Sequence, residues 1–387
     1  MHLFFSVGEP SGDLHGANLI RELRRRVPEV RCVGYGGPRM EAAGFELHTD
    51  LTKQAVMWVS RVLANFQYFW GLIQQADRYF AEQAPDAVIL IDYPGLNWWI
   101  ARRAKARGIP VVYYGTPQLW AWAPWRVRKM RRLVDHALCK LPFEESWFRQ
   151  RGVNATHVGH PYFDELATRT LDQEFVQALE QRDCKVITIL PGSRDQEVEH
   201  NLPMLLRAAA RIQQARPDTI FCVASFSASQ ADVARDLLRE HGLAAEVHVG
   251  RTPELIEAAH SCIACSGSVS LELLFHRKPA VIVYAISRGA FLLQSIFRTA
   301  RHITLTNLLA EHHHTPIPVP EHLTWRDESD QIAAQVVHWI EDEEAYAANC
   351  RLLSQLCAQD AVPGASERAA DYMLRQLNSP GGTPRAA

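Results

Sequence analysis

The chain lacks most of the signatures that would place it quickly. No run approaches the about 18 consecutive apolar residues a spanning helix needs, and mean hydropathy is −0.16, so no transmembrane segment is expected. The start, Met1-His2-Leu3-Phe4-Phe5-Ser6-Val7, has no basic region and runs into a glycine-rich turn; it reads as a first strand rather than a signal peptide, and a cytoplasmic protein is expected. Charge of one sign is also missing: 41 Lys and Arg against 43 Asp and Glu give no global attraction for a nucleic acid. The eight cysteines are scattered along 387 residues, as thiols are in a reducing compartment, which excludes a disulfide framework. Cys262 and Cys265 form a lone C-x-x-C in an apolar run, with no second pair to complete a metal site. Neither G-x-G-x-x-G nor G-x-x-x-x-G-K-[ST] occurs, nor H-E-x-x-H, nor the D-x-D that holds a metal in sugar-nucleotide chemistry; nicotinamide, P-loop and metalloprotease readings fall away. No internal repeat is visible, and His312-His313-His314, without carboxylate or thiol at ligand spacing, reads as solvated.

What is present is an alternation of short apolar runs with longer periodic stretches, the pattern of parallel sheets with crossover helices. Strands are expected at 2–7, 30–34, 87–92, 110–114 and 135–139, then at 185–190, 219–224, 245–249, 262–265 and 279–284. A helix is expected over 14–26, where Leu14, Ala17, Ile20, Leu23 and Val27 share a face and Arg21, Arg24 and Arg25 face water. At about 150 residues per domain the length suits two α/β domains. The division expected is 1–165, 185–345, helices within 346–378 packing back on the first domain, and a Pro/Gly/Ala-rich disordered tail at 379–387. Three final helices are expected at 329–341, 343–357 and 365–377.

Four turns carry candidate chemistry. The first strand ends in Gly8-Glu9-Pro10-Ser11-Gly12-Asp13-Leu14-His15-Gly16, a polar glycine turn at the carboxyl edge of a sheet, where open α/β folds place ligands. Asp92, in Ile91-Asp92-Tyr93-Pro94-Gly95-Leu96-Asn97, is a candidate general base or a helix cap. Pro191-Gly192-Ser193-Arg194 opens a helix-like stretch at 195–215, so that backbone amides, the Ser193 hydroxyl and Arg194 suit a diphosphate. Ser266-Gly267-Ser268-Val269-Ser270-Leu271-Glu272 repeats the arrangement, with Glu272 placed to accept ribose hydroxyls. The tryptophan-rich basic stretch Trp120–Arg132 suits sugar and phosphate or an amphipathic helix with a solvated basic face, and the aromatic stretches 56–70 and 288–301 suit a membrane interface or an acyl chain, or a helix packed in the core.

In order, these segments resemble bacterial lipid-A-disaccharide synthase, a GT-B glycosyltransferase family. GEPSGDLHGANLI at 8–20, IDYPGLN at 91–97, LPFEESWF at 141–148, VGHPYFDEL at 158–166, ILPGSRDQEV at 189–198 and SGSVSLE at 266–272 carry the resemblance. It implies two Rossmann-like parallel-sheet domains facing a cleft, the first binding an acceptor and the second a UDP-sugar, with C-terminal helices. The implied reaction joins UDP-2,3-diacylglucosamine to 2,3-diacylglucosamine 1-phosphate, giving a β-1,6-linked disaccharide and UDP, by inversion and without metal or cofactor. Its partners would be an acylated UDP-sugar, a lipid-linked sugar phosphate and the cytoplasmic face of the inner membrane, held peripherally; a homodimer is compatible with it. By the same implication Gly8, Glu9, Ser11, Gly12, Gly16 and Asn97 border the sugars. Gly192, Ser193, Arg194, Ser266, Gly267, Ser268, Glu272 and Asn307 hold the nucleotide, and Asp92, His15 or Asp13 acts as base, with Asp92 preferred. Departures stand at Gly95, where the family has an acidic residue, at Trp58, Arg61 and Thr306, and after Ala310. A UDP-sugar 2-epimerase and a catalytically silent relative are the competing readings.

Overall fold

The structure, a computed structural model, describes residues 1–54 and 66–378. The expectations for Val56–Val59, Trp58, Arg61 and the 379–387 tail therefore lie outside the described residues. The chain forms two compact units, Met1–Asp164 with Pro363 onward, and Glu165–Val362.

The first unit is built on β1 (His2–Val7), β2 (Arg31–Gly36), β3 (Glu46–Asp50), β4 (Ala87–Ile91), β5 (Val111–Tyr114), β6 (His136–Cys139) and β7 (Ala155–His157), in the order 3-2-1-4-5-6-7. Every pairing is parallel, with Val7 beside Ile91 where β1 meets β4. Helices cover both faces, which is why β4, Ala-Val-Ile-Leu-Ile, is apolar and buried without alternation. Phe4, Val88, Leu90 and Tyr113 feed the core on one face, and Leu3, Phe5, Ile89 and Tyr114 the core on the other.

The second unit contains β8 (Lys185–Leu190), β9 (Thr219–Ser225), β10 (Ala245–Val249), β11 (Ser261–Cys265), β12 (Ala280–Ala285) and β13 (Glu321–Thr324), again all parallel, in the order 10-9-8-11-12-13. In each sheet the strand order reverses once beside the unit's first strand, between β1 and β4 and between β8 and β11. Such a switch point leaves an open crevice at the carboxyl ends of the strands, because the following crossovers leave in opposite directions.

Two boundaries differ from expectation. The first helix runs Pro10–Arg26, so Ser11, Gly12 and Asp13 lie in its opening turn and not in a loop; Pro10, with no amide hydrogen to lose, starts it. Of the C-terminal helices, Ala365–Asn378 alone joins the first unit, burying Ala369, Ala370 and Met373 beside Ala17 and Ile20. Asp164 caps that helix, accepting from the amides of Gly364, Ala365 and Ser366 at 2.7–2.9 Å. Helix Glu343–Asp360 belongs instead to the second unit: Tyr346 stacks on His260, and Asn349 donates to the Pro318 carbonyl. Residues 165–184 also lie in that unit.

Candidate active site

At the β1–β4 switch point the two sequence motifs of the first unit meet. Gly8 ends β1 under the ring of Tyr93; a Cβ there would lie 2.5 Å from the ring, so only glycine fits. Asp92 and Tyr93 both take the left-handed conformation, φ 46° and 42°, at a cost of order 1 kcal/mol each. The turn is held because the Asp92 carbonyl accepts from Tyr113 Oη at 2.6 Å and from Asn97 Nδ2 at 2.8 Å. The carboxylate of Asp92 is thereby set at the crevice, with Oδ1 3.2 Å from Lys140 Nζ at the end of β6, and Oδ2 3.6 Å from where a Gly12 Cβ would stand. Gly95 opens the next helix, is exposed, and a Cβ there would meet nothing within 4 Å.

Several residues expected at this site have other work. Asp13 is buried and its two carboxylate oxygens accept from the amides of Arg39 and Met40, both at 3.0 Å, so it caps the helix Pro38–Ala42 and is not poised as a base. Asn97 is fully buried and clamps the Asp92 turn rather than facing a sugar. Gly16 admits Met40 at 2.7 Å from its missing Cβ, a packing contact. His15 is near the crevice but buried, its ring edge-on to His160 with centroids 6.2 Å apart. Burial, aided by Lys140 and opposed by Asp92 and Asp164, lowers its pKa to about 4, so the imidazole is a much weaker base than an exposed one. Glu9 and Ser11 are exposed at the helix start.

Two residues that sequence reasoning passed over complete this edge. Lys140 follows β6, and Glu144, fully buried, accepts from the amides of Lys140 and Leu141 and from Trp120 Nε1 at 3.0–3.1 Å, fixing the β6 turn. The strand–Lys-Leu-Pro-Phe-Glu run held the signal, a charged residue at a strand's carboxyl end four residues ahead of an acid that can cap the next helix.

The β8–β11 switch point brings together the other two turns. Gly192 adopts φ 128°, and a Cβ on it would strike the Glu197 side chain at 2.5 Å. Glu197, in the first turn of helix Asp195–Ala215, accepts from the amides of Ser193 (3.0 Å) and Arg194 (3.3 Å) and from the Arg194 guanidinium (2.8 Å). The amides expected to be free for phosphate thus already hold an anion, an internal carboxylate. At the second turn, Gly267 has open space where its Cβ would be, whereas Ser266 Oγ donates to the Ile303 carbonyl. Ser268 precedes the helix Val269–Phe275. Glu272 is buried and ion-paired with Arg169 at 2.6 Å, so its carboxylate is not simply open to a ribose. Asn307 is fully buried with both ends of its amide on the Val319 backbone; it clamps that chain segment instead of lining a ligand.

Other clusters have local explanations. Cys262 and Cys265, three apart on β11, point to opposite faces, and burial pushes both thiols up to about 12. Among the described residues one Cys–Glu–His group, Cys222, Glu246 and His248, has ligand atoms within 4.8 Å of one another, but the Arg182 guanidinium already occupies Glu246. His313 is half-buried on Asp360 at 2.8 Å rather than solvated. Tyr68, Phe69 and Trp70 lean on the core. Among the described residues the exposed aromatics are Trp99, Trp122, Trp125, Phe226 and Trp325; Trp122 and Trp125 are flanked by exposed Arg126, Arg128, Lys129, Arg131 and Arg132. No helix among the described residues is long and apolar enough to cross a membrane.

Residues 3–373 match the family model described as lipid-A-disaccharide synthetase. The chain is 35% identical over 370 residues to a lipid-A-disaccharide synthase of Anaeromyxobacter sp. (strain K), covering 95% of each. Among solved structures it is similar to S. aureus MnaA in a co-structure with UDP (TM-score 0.66, 13% identity, 97% of this chain and 96% of that one). It is also similar to the glycotransferase of kitacinnamycin (TM-score 0.61, 19% identity, 97% and 99%). The structural likenesses establish a GT-B type fold, and the sequence match goes further: this chain belongs to the lipid-A-disaccharide synthase family, glycosyltransferases of lipid A biosynthesis.

Proposed function

We propose that the protein transfers 2,3-diacylglucosamine from its UDP conjugate to the 6-hydroxyl of 2,3-diacylglucosamine 1-phosphate, releasing UDP. The observation that supports this most is the coincidence of all four polar turns with the two switch points of a chain in this family. The acceptor oxygen attacks the anomeric carbon, the bond from that carbon to the diphosphate breaks with its electron pair, and the configuration inverts. Asp92, the carboxylate set at the β1–β4 crevice, receives the hydroxyl proton; His15, with its depressed basicity, is the poorer candidate. At the β8–β11 crevice Arg194, the amides after Gly192 and those around Gly267 meet the charge that grows on the leaving diphosphate, a task such donors perform without a metal ion. Glu197 withdraws from those amides as the nucleotide arrives.

The acyl chains place the work at the cytoplasmic face of the inner membrane, and Trp99, Trp122 and Trp125 with their basic neighbours form the surface that rests there. A second reading rests on Gly95, whose open surroundings leave the family's acidic side chain unreplaced: a member that binds these substrates without turnover. UDP release that depends on acceptor separates the two.

A further inference from the structure

The geometry points to Lys140 as the positioning residue of this site, the fixed cation that holds the Asp92 carboxylate at the β1–β4 crevice. This rests on the reading of Asp92 as base. Nζ of Lys140 stands 3.2 Å from Asp92 Oδ1, and both side chains are largely buried, 15% and 20% exposed. The lysine is held at its backbone, where its amide is bonded to the buried carboxylate of Glu144, and its stem runs over the bare backbone of Gly115, 3.4–3.5 Å from where a Cβ would lie. Asp92 is fixed from the other side through its carbonyl, by Tyr113 and Asn97. Both partners of the ion pair are thus anchored through their backbones, next to the charged groups that meet.

The surrounding charges are compatible with a permanent ammonium. Burial alone would lower the Lys140 pKa, but Asp92, Glu144 and Glu9 outweigh it and hold it above the ordinary lysine value. The remaining ionisable neighbours are His15, His160 and Asp164, the two imidazoles both kept neutral by burial. The phenols of Tyr113 and Tyr114 on β5 are pushed up by burial and stay protonated. Lys140 is then the positive charge in direct contact with Asp92 that no change near neutral pH removes.

The test is the pH dependence of kcat/KM for Lys140→Met, Lys140→Arg and Lys140→Gln, beside Asp92→Asn and the Asp92→Asn/Lys140→Met double variant. A carboxylate that loses an adjacent cation is harder to ionise by about 1–3 pH units. The acid limb is therefore expected to move up by at least one unit in Lys140→Met and equally in Lys140→Gln, which keeps a donor but not the charge and guards against a fold lost to methionine. Lys140→Arg should return the limb to its wild-type place. In the Asp92→Asn background the second substitution should cost nothing further. An acid limb that stays put in both neutral variants, or losses that multiply in the double variant, overturns the assignment while leaving Asp92 as base. Wild-type activity and pH profile in Asp92→Asn overturns the base reading itself.

Discussion

The carboxylate of Glu197 sits where the nucleotide's phosphates are proposed to bind, and its removal gives an unusual expectation: a deletion that tightens binding. Glu197 holds two amides and the Arg194 guanidinium at 2.8–3.3 Å. Arg194 is 80% exposed, so that ion pair contributes only about 0.2–1 kcal/mol after screening. The amide contacts are of the helix-capping kind, about 1 kcal/mol together. UDP must therefore displace roughly 1–2 kcal/mol of internal bonding, and Glu197→Ala relieves it of that competition. Calorimetric titration with UDP in EDTA should show Kd falling about 5- to 30-fold, while the variant itself loses about 1 kcal/mol of stability with its cap. Arg194→Ala, by contrast, should weaken UDP by about 1.5–3 kcal/mol, the scale of a hydrogen bond to a charged group. Weaker UDP binding in Glu197→Ala would refute the reasoning, since it would mean that the carboxylate aims Arg194 instead of occupying the phosphate donors.

The buried neutral His15 makes a second expectation. Its pKa is about 4 folded and about 6.5 unfolded, so below pH 6.5 the unfolded chain binds a proton the folded one refuses; stability is full above 6.5 and is lost as pH falls toward 4. Between pH 7 and 5 this amounts to about 2 kcal/mol, and denaturant unfolding of His15→Gln should lose that much less than wild type over the same interval; equal losses would rule the mechanism out. Thirdly, Trp122→Ser/Trp125→Ser should lower partitioning onto anionic vesicles at least tenfold, each ring offering on the order of 100 Å² and so up to about 2.5 kcal/mol at about 25 cal/mol per Å². Because both rings are exposed, thermal unfolding should not change; undiminished vesicle binding would move the membrane contact elsewhere.

Strands buried on both faces were legible in the sequence because their apolar runs are continuous: β1 and β8 fall where expected, helix Asp195–Ala215 matches residue for residue, and β10, an edge strand with little apolar pattern, was also placed correctly. The strands passed over, β3, β7 and β13, are all sheet edges, short and polar, as in Glu46-Leu-His-Thr-Asp50. Their pairing comes from the neighbouring strand and leaves little hydrophobic pattern. At the site, the turns were visible but the assignment of individual side chains was not. Asp13, Asn97 and Asn307 are the residue types that bind ligands and equally those that satisfy backbone amides, and only the fold shows that Arg39, Asp92 and Val319 have claimed them. Lys140 escaped notice because its partner lies 48 residues away on another strand end.

The central claim, that the two switch points together perform glycosyl transfer, is tested most directly by following UDP release and product mass from UDP-2,3-diacylglucosamine in EDTA, with and without 2,3-diacylglucosamine 1-phosphate. The account requires UDP and a disaccharide 1-phosphate to appear in equal amounts, and only when both substrates are present. Binding of both without turnover, or change in the UDP-sugar without acceptor, would contradict it.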